Sequence, residues 1–149
     1  MLRIVLVTAV IAIGVTAVGA QSNPVEERKA LMSSMWRDAW GPITRMVQGK
    51  DPYDQAKVDA GFTRVLDIAN KVRPLWPDNA KGAAPNATFA SSAKIWENKS
   101  DFEAKLADLV KEVNANRPKA TNLEGLKVAF VPVDKSCDYC HEPYRVRVR

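Results

Sequence analysis

The chain has 149 residues, a length that suits one domain. It carries 22 basic and 17 acidic residues, and this weak positive charge, without any long basic run, does not support nucleic-acid binding. Its only two cysteines and its only histidine fall within five consecutive positions, Cys137 to His141, so chemistry that needs these residue types must be located there.

The first twenty residues have the three parts of a secretory signal peptide. Arg3 precedes an apolar run, and small residues end at Ala20. An uncleaved anchor is the alternative, because the run is close to the roughly 20 apolar residues of a membrane span. We expect cleavage near Gln21, a periplasmic protein and no membrane attachment afterwards. Loss of Arg3 leaves 21 basic against 17 acidic residues, a net charge of about +4, on the domain 21–149.

Apolar residues recur at helical spacings of three and four in four segments. The first segment follows Asn23-Pro24, which suits a helix cap and a first helical residue. Four such segments predict an all-α fold, an antiparallel (up-down-up-down) four-helix bundle. The stripes are Met32, Met35, Ala39, Ile43 and Met46; Val58, Phe62, Val65, Ala69 and Val72; Phe102, Leu106, Leu109 and Val113; and Leu123, Leu126, Phe130, Val133, Cys137, Cys140 and Tyr144.

Prolines and one long connection modify this pattern. Gly41-Pro42 should kink the first helix, and Pro132 should kink or restart the last. The connection 73–99 is long for a compact domain, but its apolar and aromatic residues predict an ordered crossover. No segment alternates with a period of two over strand length, so the chain is predicted to be helical throughout.

The cysteines and the histidine lie on one face of the last predicted helix. Positions i, i+3 and i+4 share a face, so Cys137, Cys140 and His141 point at one object. A haem fits, because two thiols can form thioethers with its vinyl groups while the imidazole binds the iron as proximal ligand. The motif therefore predicts one covalently bound haem c with its iron.

Other roles for the two cysteines are weaker. A thioredoxin-like dithiol needs an activated cysteine, usually at a helix N-terminus beside a strand. Zinc needs about four ligands, and the sequence has no further cysteine or histidine. A disulfide between Cys137 and Cys140 would close a very small loop and gain little entropy. Chance co-occurrence of the motif is the last alternative.

At these residues the sequence resembles the class II c-type cytochromes, the family of cytochromes c′ and c-556. The likeness covers Glu27 to Arg145, and Pro143 departs from the usual pattern after His141. It implies a four-helix bundle with the haem motif near the C-terminus and a haem cavity between the first and last helices. The matching stretches are ERKALMSSM, PYDQAKVDAGF, RPLWPDNAKG, AKIWENKSDFEAK and, most specific, CDYCHEPYR.

The resemblance also implies what lies on the distal side of the iron. In five-coordinate cytochromes c′ a bulky apolar residue, four positions after an arginine, blocks that side; in c-556-like members a methionine there binds the iron. The run Arg28 to Met32 matches and implies Met32 as distal ligand, Arg28 near the haem edge and propionates, and Arg145 on the proximal side. Periodicity alone favours Met32 as core filler, since other methionines share its stripe.

A histidine–methionine pair leaves no open position on the iron and favours the reduced state, which suits one-electron transfer. The expected function is thus a carrier and not an enzyme. The alternative is a five-coordinate cytochrome c′ that binds NO or CO, and a weak peroxidase is a third reading.

Expected partners are periplasmic redox proteins. Class II members often dimerise through their first two helices, so the resemblance leaves both a monomer and a homodimer open. The basic end formed by Arg145, Arg147 and Arg149 either steers an acidic redox partner or is a solvated tail.

Overall fold

The first helix begins where the sequence predicts. The computed structural model describes residues 23–149, and the predicted signal peptide, 1–20, lies outside them. The side chain of Asn23 accepts a hydrogen bond from the Val25 backbone N–H. Pro24 occupies the first helical position, where a missing donor has no intrahelical partner to lose. Helix α1 spans Pro24–Met35.

A π-helical turn lies directly before Gly41-Pro42, where the sequence predicts a kink. α1 continues into the π-helical residues Trp36–Trp40 and then into α2, Gly41–Val47. The backbone N–H of Gly41 donates to the carbonyl oxygen of Trp36, five residues earlier. Pro42 has no N–H to donate. The wider π-helical turn accommodates the loss of this hydrogen bond, so the helix continues into α2.

Replacing Gly41 by alanine is expected to destabilise this turn. A Cβ atom at Gly41 would lie 2.7 Å from the Trp36 carbonyl oxygen, so backbone would have to shift. We expect the free energy of unfolding, measured by chemical denaturation, to fall by about 1–3 kcal/mol. Gly61→Ala is the matched control, because its Cβ would meet the movable Cδ1 atom of Ile43 at 2.7 Å. If Gly61→Ala lowers the free energy of unfolding as much as Gly41→Ala does, the clash with the Trp36 backbone is not the cause.

Three further long helices complete the helical framework. Asp54 accepts a hydrogen bond from the Lys57 N–H at the start of the first of them, and Asn122 accepts one from the Gly125 N–H at the start of the last. These side chains satisfy backbone donors that have no partner in the first helical turn. The helices are α3, Gln55–Val72; α5, Lys99–Asn116; and α6, Leu123–Tyr144, with a 3₁₀ turn, Arg117–Lys119, before α6.

Proline does not restart the last helix, contrary to one of the predicted outcomes. α6 is one element of 22 residues with Pro132 and Pro143 inside it. Val128 and Val131, close to Pro132, are exposed, so a carbonyl that loses its helical donor there has access to water. α6 ends one residue after Pro143, and the Arg145 backbone N–H donates to the His141 carbonyl oxygen.

The connection between α3 and α5 is an ordered crossover, as the sequence predicts. It contains a short strand β1, Phe89–Ser91, and a short helix α4, Lys94–Glu97. Trp76 packs edge-on against Phe102 of α5, with ring centroids 4.8 Å apart. The crossover thus covers one side of the bundle with apolar surface.

A two-stranded antiparallel sheet joins the crossover to the end of the chain, and the prediction of helix throughout is wrong at this point. Strand β2, Arg145–Arg147, follows α6 directly and pairs with β1. The sequence reasoning overlooked a local signal here, because arginine and valine alternate from Arg145 to Arg149. Local periodicity does not show the partner of this strand, which lies more than fifty residues earlier. The register is Phe89 with Arg147, Ala90 with Val146 and Ser91 with Arg145.

The predicted stripes form the core of an antiparallel four-helix bundle, built from the continuous α1–α2 helix, α3, α5 and α6. Every residue of the predicted stripes on α3 and α5 is buried. None of the helices within residues 23–149 combines the length and the apolar character that a membrane span requires. The largest fully buried side chains are Phe62, Ile43, Met46, Ile68, Ile95, Leu126, Val58, Val65, Val72, Val113 and Val133.

Candidate haem site

A cleft of about 760 Å³ lies between α1, α5, α6 and the crossover. This volume is within the roughly 300–1,000 Å³ of cofactor and ligand sites. Cys137, Cys140 and His141 line the cleft from α6, and Met32 lines it from α1. The cleft therefore brings together the four residues that the sequence analysis assigns to the thioethers and the iron.

A larger groove, of about 1100 Å³, lies elsewhere, along α2 and the loop before α3. Arg45 and Asp51, which form an ion pair, are among the described residues that line it, and none of those residues is a cysteine or histidine. We assign the haem site to the smaller cleft because it contains the thiols and the imidazole.

Cys137 and Cys140 are free, half-buried thiols one helical turn apart. Burial, with smaller contributions from the charges of Asp134 and Asp138, raises the pKa of Cys137 to about 12. Burial likewise raises the pKa of Cys140 to about 11. Both groups are thus protonated at neutral pH, unlike the attacking thiolate of a thioredoxin-like dithiol. A thiol supplies the sulfur and the hydrogen that addition to a vinyl group requires.

His141 directly follows Cys140 and is also half-buried in the cleft. Burial, with a smaller contribution from the positive charge of Arg145, lowers the pKa of its imidazole to about 4. The ring is therefore neutral at neutral pH. A neutral imidazole has the nitrogen lone pair that binding to iron requires.

A polar cluster of Asp101, Lys105, Tyr139 and Tyr144 joins α5 to the part of α6 that carries His141. The Tyr144 hydroxyl donates to Oδ2 of Asp101 at 2.5 Å, and Nζ of Lys105 lies 3.8 Å from the same oxygen. The Lys105 ammonium also lies 3.3 Å from the centroid of the Tyr139 ring. These contacts hold the motif end of α6 against α5.

Sequence reasoning missed this role of Lys105. Only 8% of the residue is exposed, an unusual burial for a lysine. A signal was present, because Lys105 lies three residues after Phe102 and four before Leu109, on the inward arc of its helix.

Three methionines share the predicted stripe of the first helix, and the structure separates them. Met32 lines the cleft and is partly buried against the core. Met35 lines the same cleft but is more deeply buried, whereas Met46 is outside the cleft lining and 2% exposed. The cleft therefore receives two methionines from α1. Only Met32 lies four positions after Arg28, the spacing that the family resemblance implies for the distal ligand.

Arg28 lies in the cleft wall, one turn before Met32, and only 4% of it is exposed. Two of its guanidinium nitrogens donate to crossover carbonyl oxygens, at 3.0 Å to Leu75 and 3.3 Å to Gly82. The guanidinium carbon also lies 4.6 Å from the centroid of the Trp76 ring. Arg28 thus ties α1 to the crossover, and part of its donor capacity is used there.

Arg145 begins β2 beside the cleft and is exposed. Its guanidinium carbon lies 4.6 Å from the centroid of the Phe89 ring on the paired strand. This position is one helical turn after His141.

Trp40 joins the first helix to α6 beside the cleft. Its indole N–H donates to Oδ1 of Asp134 at 2.8 Å, and its ring stacks on Phe130 with centroids 4.9 Å apart. This contact sets the separation between the helix that carries Met32 and the helix that carries the cysteines.

The donor set fits a haem. Two protonated thiols and a neutral imidazole share one face of α6, a thioether side chain comes from α1, and apolar residues such as Phe102 and Leu106 complete the lining. A four-helix bundle with this site defines a class of protein, the haem c-binding helical bundles.

Comparison with known proteins agrees with this class. The sequence model of the family described as Cytochrome C′ matches residues 23–145, and the chain belongs to this family. It is 34% identical to a cytochrome c-556 of Rhodopseudomonas palustris over 146 residues, 97% of each chain.

Solved structures show the same likeness. A structural model of oxidised cytochrome c556 from R. palustris has a TM-score of 0.76 and 32% identity, and the match covers 87% of this chain and all of that one. A cytochrome c′ from R. palustris has a TM-score of 0.78 and 27% identity, with the same coverage. The family resemblance and the four-helix fold expected from the sequence are confirmed, and the cofactor is haem c, covalently attached, with its iron.

Proposed function

We propose that this protein carries single electrons, with His141 and Met32 as the axial ligands of the haem iron. The observation that carries the proposal is that these two side chains, from α6 and α1, line one cleft. The bound haem supplies an iron that gains and loses one electron. A histidine–methionine pair leaves no position for substrate and stabilises the ferrous state. The proposed activity therefore needs no catalytic acid or base.

The other residues of the cleft support this role. Cys137 and Cys140 hold the haem through thioethers, so the cofactor stays bound in both oxidation states. Arg28 and Arg145 provide positive charge at the cleft for the carboxylate side chains of the haem.

A second candidate is a five-coordinate haem that binds NO or CO, as the family name and the likeness to a cytochrome c′ suggest. In that case Met32 packs over the iron without binding it. A peroxidase is a lesser alternative, because the sequence has no second histidine to transfer protons on the distal side.

Absorption spectroscopy and voltammetry of the haem-loaded protein test the proposal. We expect low-spin, six-coordinate spectra in both oxidation states, a reversible one-electron wave and slow or absent CO binding by the ferrous form. A high-spin ferric spectrum together with rapid CO binding would support the gas-binding function instead.

The protein is proposed to act in the periplasm after removal of residues 1–20. The apolar run after Arg3 and the small residues before Gln21 support export. The intact mass of protein purified from its native membrane and periplasmic fractions is expected to correspond to a chain that starts near Gln21 and carries one haem. A mass that includes residues 1–20 would contradict cleavage and favour the anchored form.

Periplasmic redox proteins are the proposed partners, and a homodimer through the first two helices is the proposed assembly. Sedimentation velocity at several protein concentrations tests the assembly, and a monomer throughout would exclude a stable dimer.

A further inference from the structure

The last residues of the chain are held by strand pairing and are not a loose tail. β2 is paired with β1, and the pairing continues past it, since the Val148 N–H donates to the Thr88 carbonyl oxygen at 2.9 Å. A guanidinium nitrogen of Arg149 lies 3.3 Å from Oδ1 of Asn86. These contacts place the three arginines of the chain end on a defined surface.

Alternation along the strand puts Arg145, Arg147 and Arg149 on one face. Phe89 is paired with Arg147, so its side chain is on this same face, and the Arg145 guanidinium lies over its ring. All three arginines are exposed, and 46% of Phe89 is exposed. We call these four residues the arginine face.

The positive charge of this face is not neutralised by neighbouring carboxylate side chains. None of the ion pairs formed by Asp or Glu side chains within residues 23–149 includes Arg145, Arg147 or Arg149. Nε of Arg147 instead donates to the terminal main-chain oxygen of Arg149 at 2.6 Å. Three exposed guanidinium groups around an exposed aromatic ring suit a partner that presents carboxylates.

The arginine face lies at the edge of the haem cleft, since Arg145 and Phe89 belong to both. An electron can pass between proteins only when the partner docks close to the cofactor. We propose that the arginine face docks an acidic one-electron redox protein, whose carboxylates surround its own redox centre. The proposal rests on the proposed electron-transfer function and names the chemistry of the partner.

The reaction in the docked complex is a single electron transfer. When the ferrous carrier reacts, it loses one electron and becomes ferric, and the acidic partner is reduced by that electron. No bond forms or breaks and no proton is required. The arginine face contributes by raising the encounter rate and by orienting the partner, effects that weaken as salt screens the charges.

Two oxidants of opposite charge test the proposal on the haem-loaded protein in stopped-flow experiments. The variant is Arg147→Gln with Arg149→Gln, which leaves Arg145 in place because that residue also lines the cleft. At low ionic strength we expect oxidation by the hexacyanoferrate(III) anion to slow about tenfold. Oxidation by the tris(phenanthroline)cobalt(III) cation should become faster, and both rates should approach the parent's in high salt.

A matched control removes the same charge elsewhere. Lys71→Gln with Lys111→Gln changes exposed positions on α3 and α5 that do not line the cleft. It should alter either rate by less than about twofold, because local charge and not net charge steers the encounter. Equal effects of the two double variants would overturn a specific role for the arginine face.

An acidic polypeptide tests docking itself. Poly-L-glutamate should inhibit the hexacyanoferrate reaction of the parent and not that of the arginine variant. If it inhibits both equally, the proposal is wrong. Vesicles of phosphatidylcholine with phosphatidylglycerol that bind the parent through these arginines, without inhibition by poly-L-glutamate, would assign the face to a membrane surface and also overturn it.

Voltammetry separates the two proposals. If the parent lacks a reversible one-electron wave, the proposed electron-transfer function fails. If the wave is present and both proteins react with hexacyanoferrate at the same rate, only the docking proposal fails.

Discussion

Replacing Met32 by leucine is expected to convert the haem from six-coordinate low-spin to five-coordinate high-spin. The substitution removes the methionine sulfur that we propose as the distal ligand of the iron. It leaves an apolar side chain of similar volume, so the bundle should still fold. The ferrous variant should bind CO readily. Its reduction potential should fall, because the preference of a thioether for ferrous iron is lost. Absorption spectra, CO-binding kinetics and voltammetry measure these changes.

Met35→Leu and Met46→Leu are the controls for this prediction. Met46 lies outside the cleft and tests the general effect of removing a methionine from the stripe. Met35 lines the cleft and tests whether the register has selected the wrong methionine. A low-spin spectrum retained in Met32→Leu but lost in Met35→Leu would reassign the ligand. A parent protein that already binds CO as fast as an open haem would favour gas binding over electron transfer.

Replacing both Cys137 and Cys140 by alanine is expected to abolish covalent haem attachment and most of the stability. The cleft of about 760 Å³ is lined largely by apolar side chains, and it is the site that we assign to the haem. Unfilled apolar volume costs roughly 24 cal/mol per Å³, so even about 200 Å³ would cost about 5 kcal/mol. That loss is comparable with the whole stability of a small domain, about 5–15 kcal/mol. Thermal unfolding followed by circular dichroism and haem staining on a denaturing gel measure the two effects.

The control for the cysteine variant is Lys135→Ala with Glu142→Ala, two exposed positions on the same helix. It should keep both haem colour on the gel and the parent's unfolding temperature. If the cysteine variant unfolds at the parent's temperature, the bundle does not depend on haem. Loss of all haem from the denatured parent would exclude thioether bonds.

The helical framework and the haem motif could be predicted because the interactions that define them are local. Apolar residues three and four positions apart share one helical face wherever the helix packs, so the stripes on α3 and α5 are buried as expected. Asn23 caps α1 through a donor two residues away. Cys137, Cys140 and His141 lie within five positions, so helix geometry alone places them on one face.

The two proline sites show what local sequence rules do not predict. Proline chemistry predicts a disturbance at Gly41-Pro42 and at Pro132, but not its form. In the first case a hydrogen bond from Gly41 to Trp36 produces a π-helical turn, and in the second α6 continues without interruption. Packing against the other helices decides between these outcomes.

Contacts between distant segments were decided only by the tertiary structure. Arg145 to Arg149 alternates with valine, but a strand needs a partner, and the partner is β1, more than fifty residues earlier. The guanidinium of Arg28 bonds to carbonyls of the crossover, about fifty positions away in the chain. By itself the sequence determined the helices, the haem-attachment motif and the family likeness, because these depend on neighbours in the chain. The tertiary structure decided which side chains from other elements surround the motif, because those contacts depend on how separate segments pack.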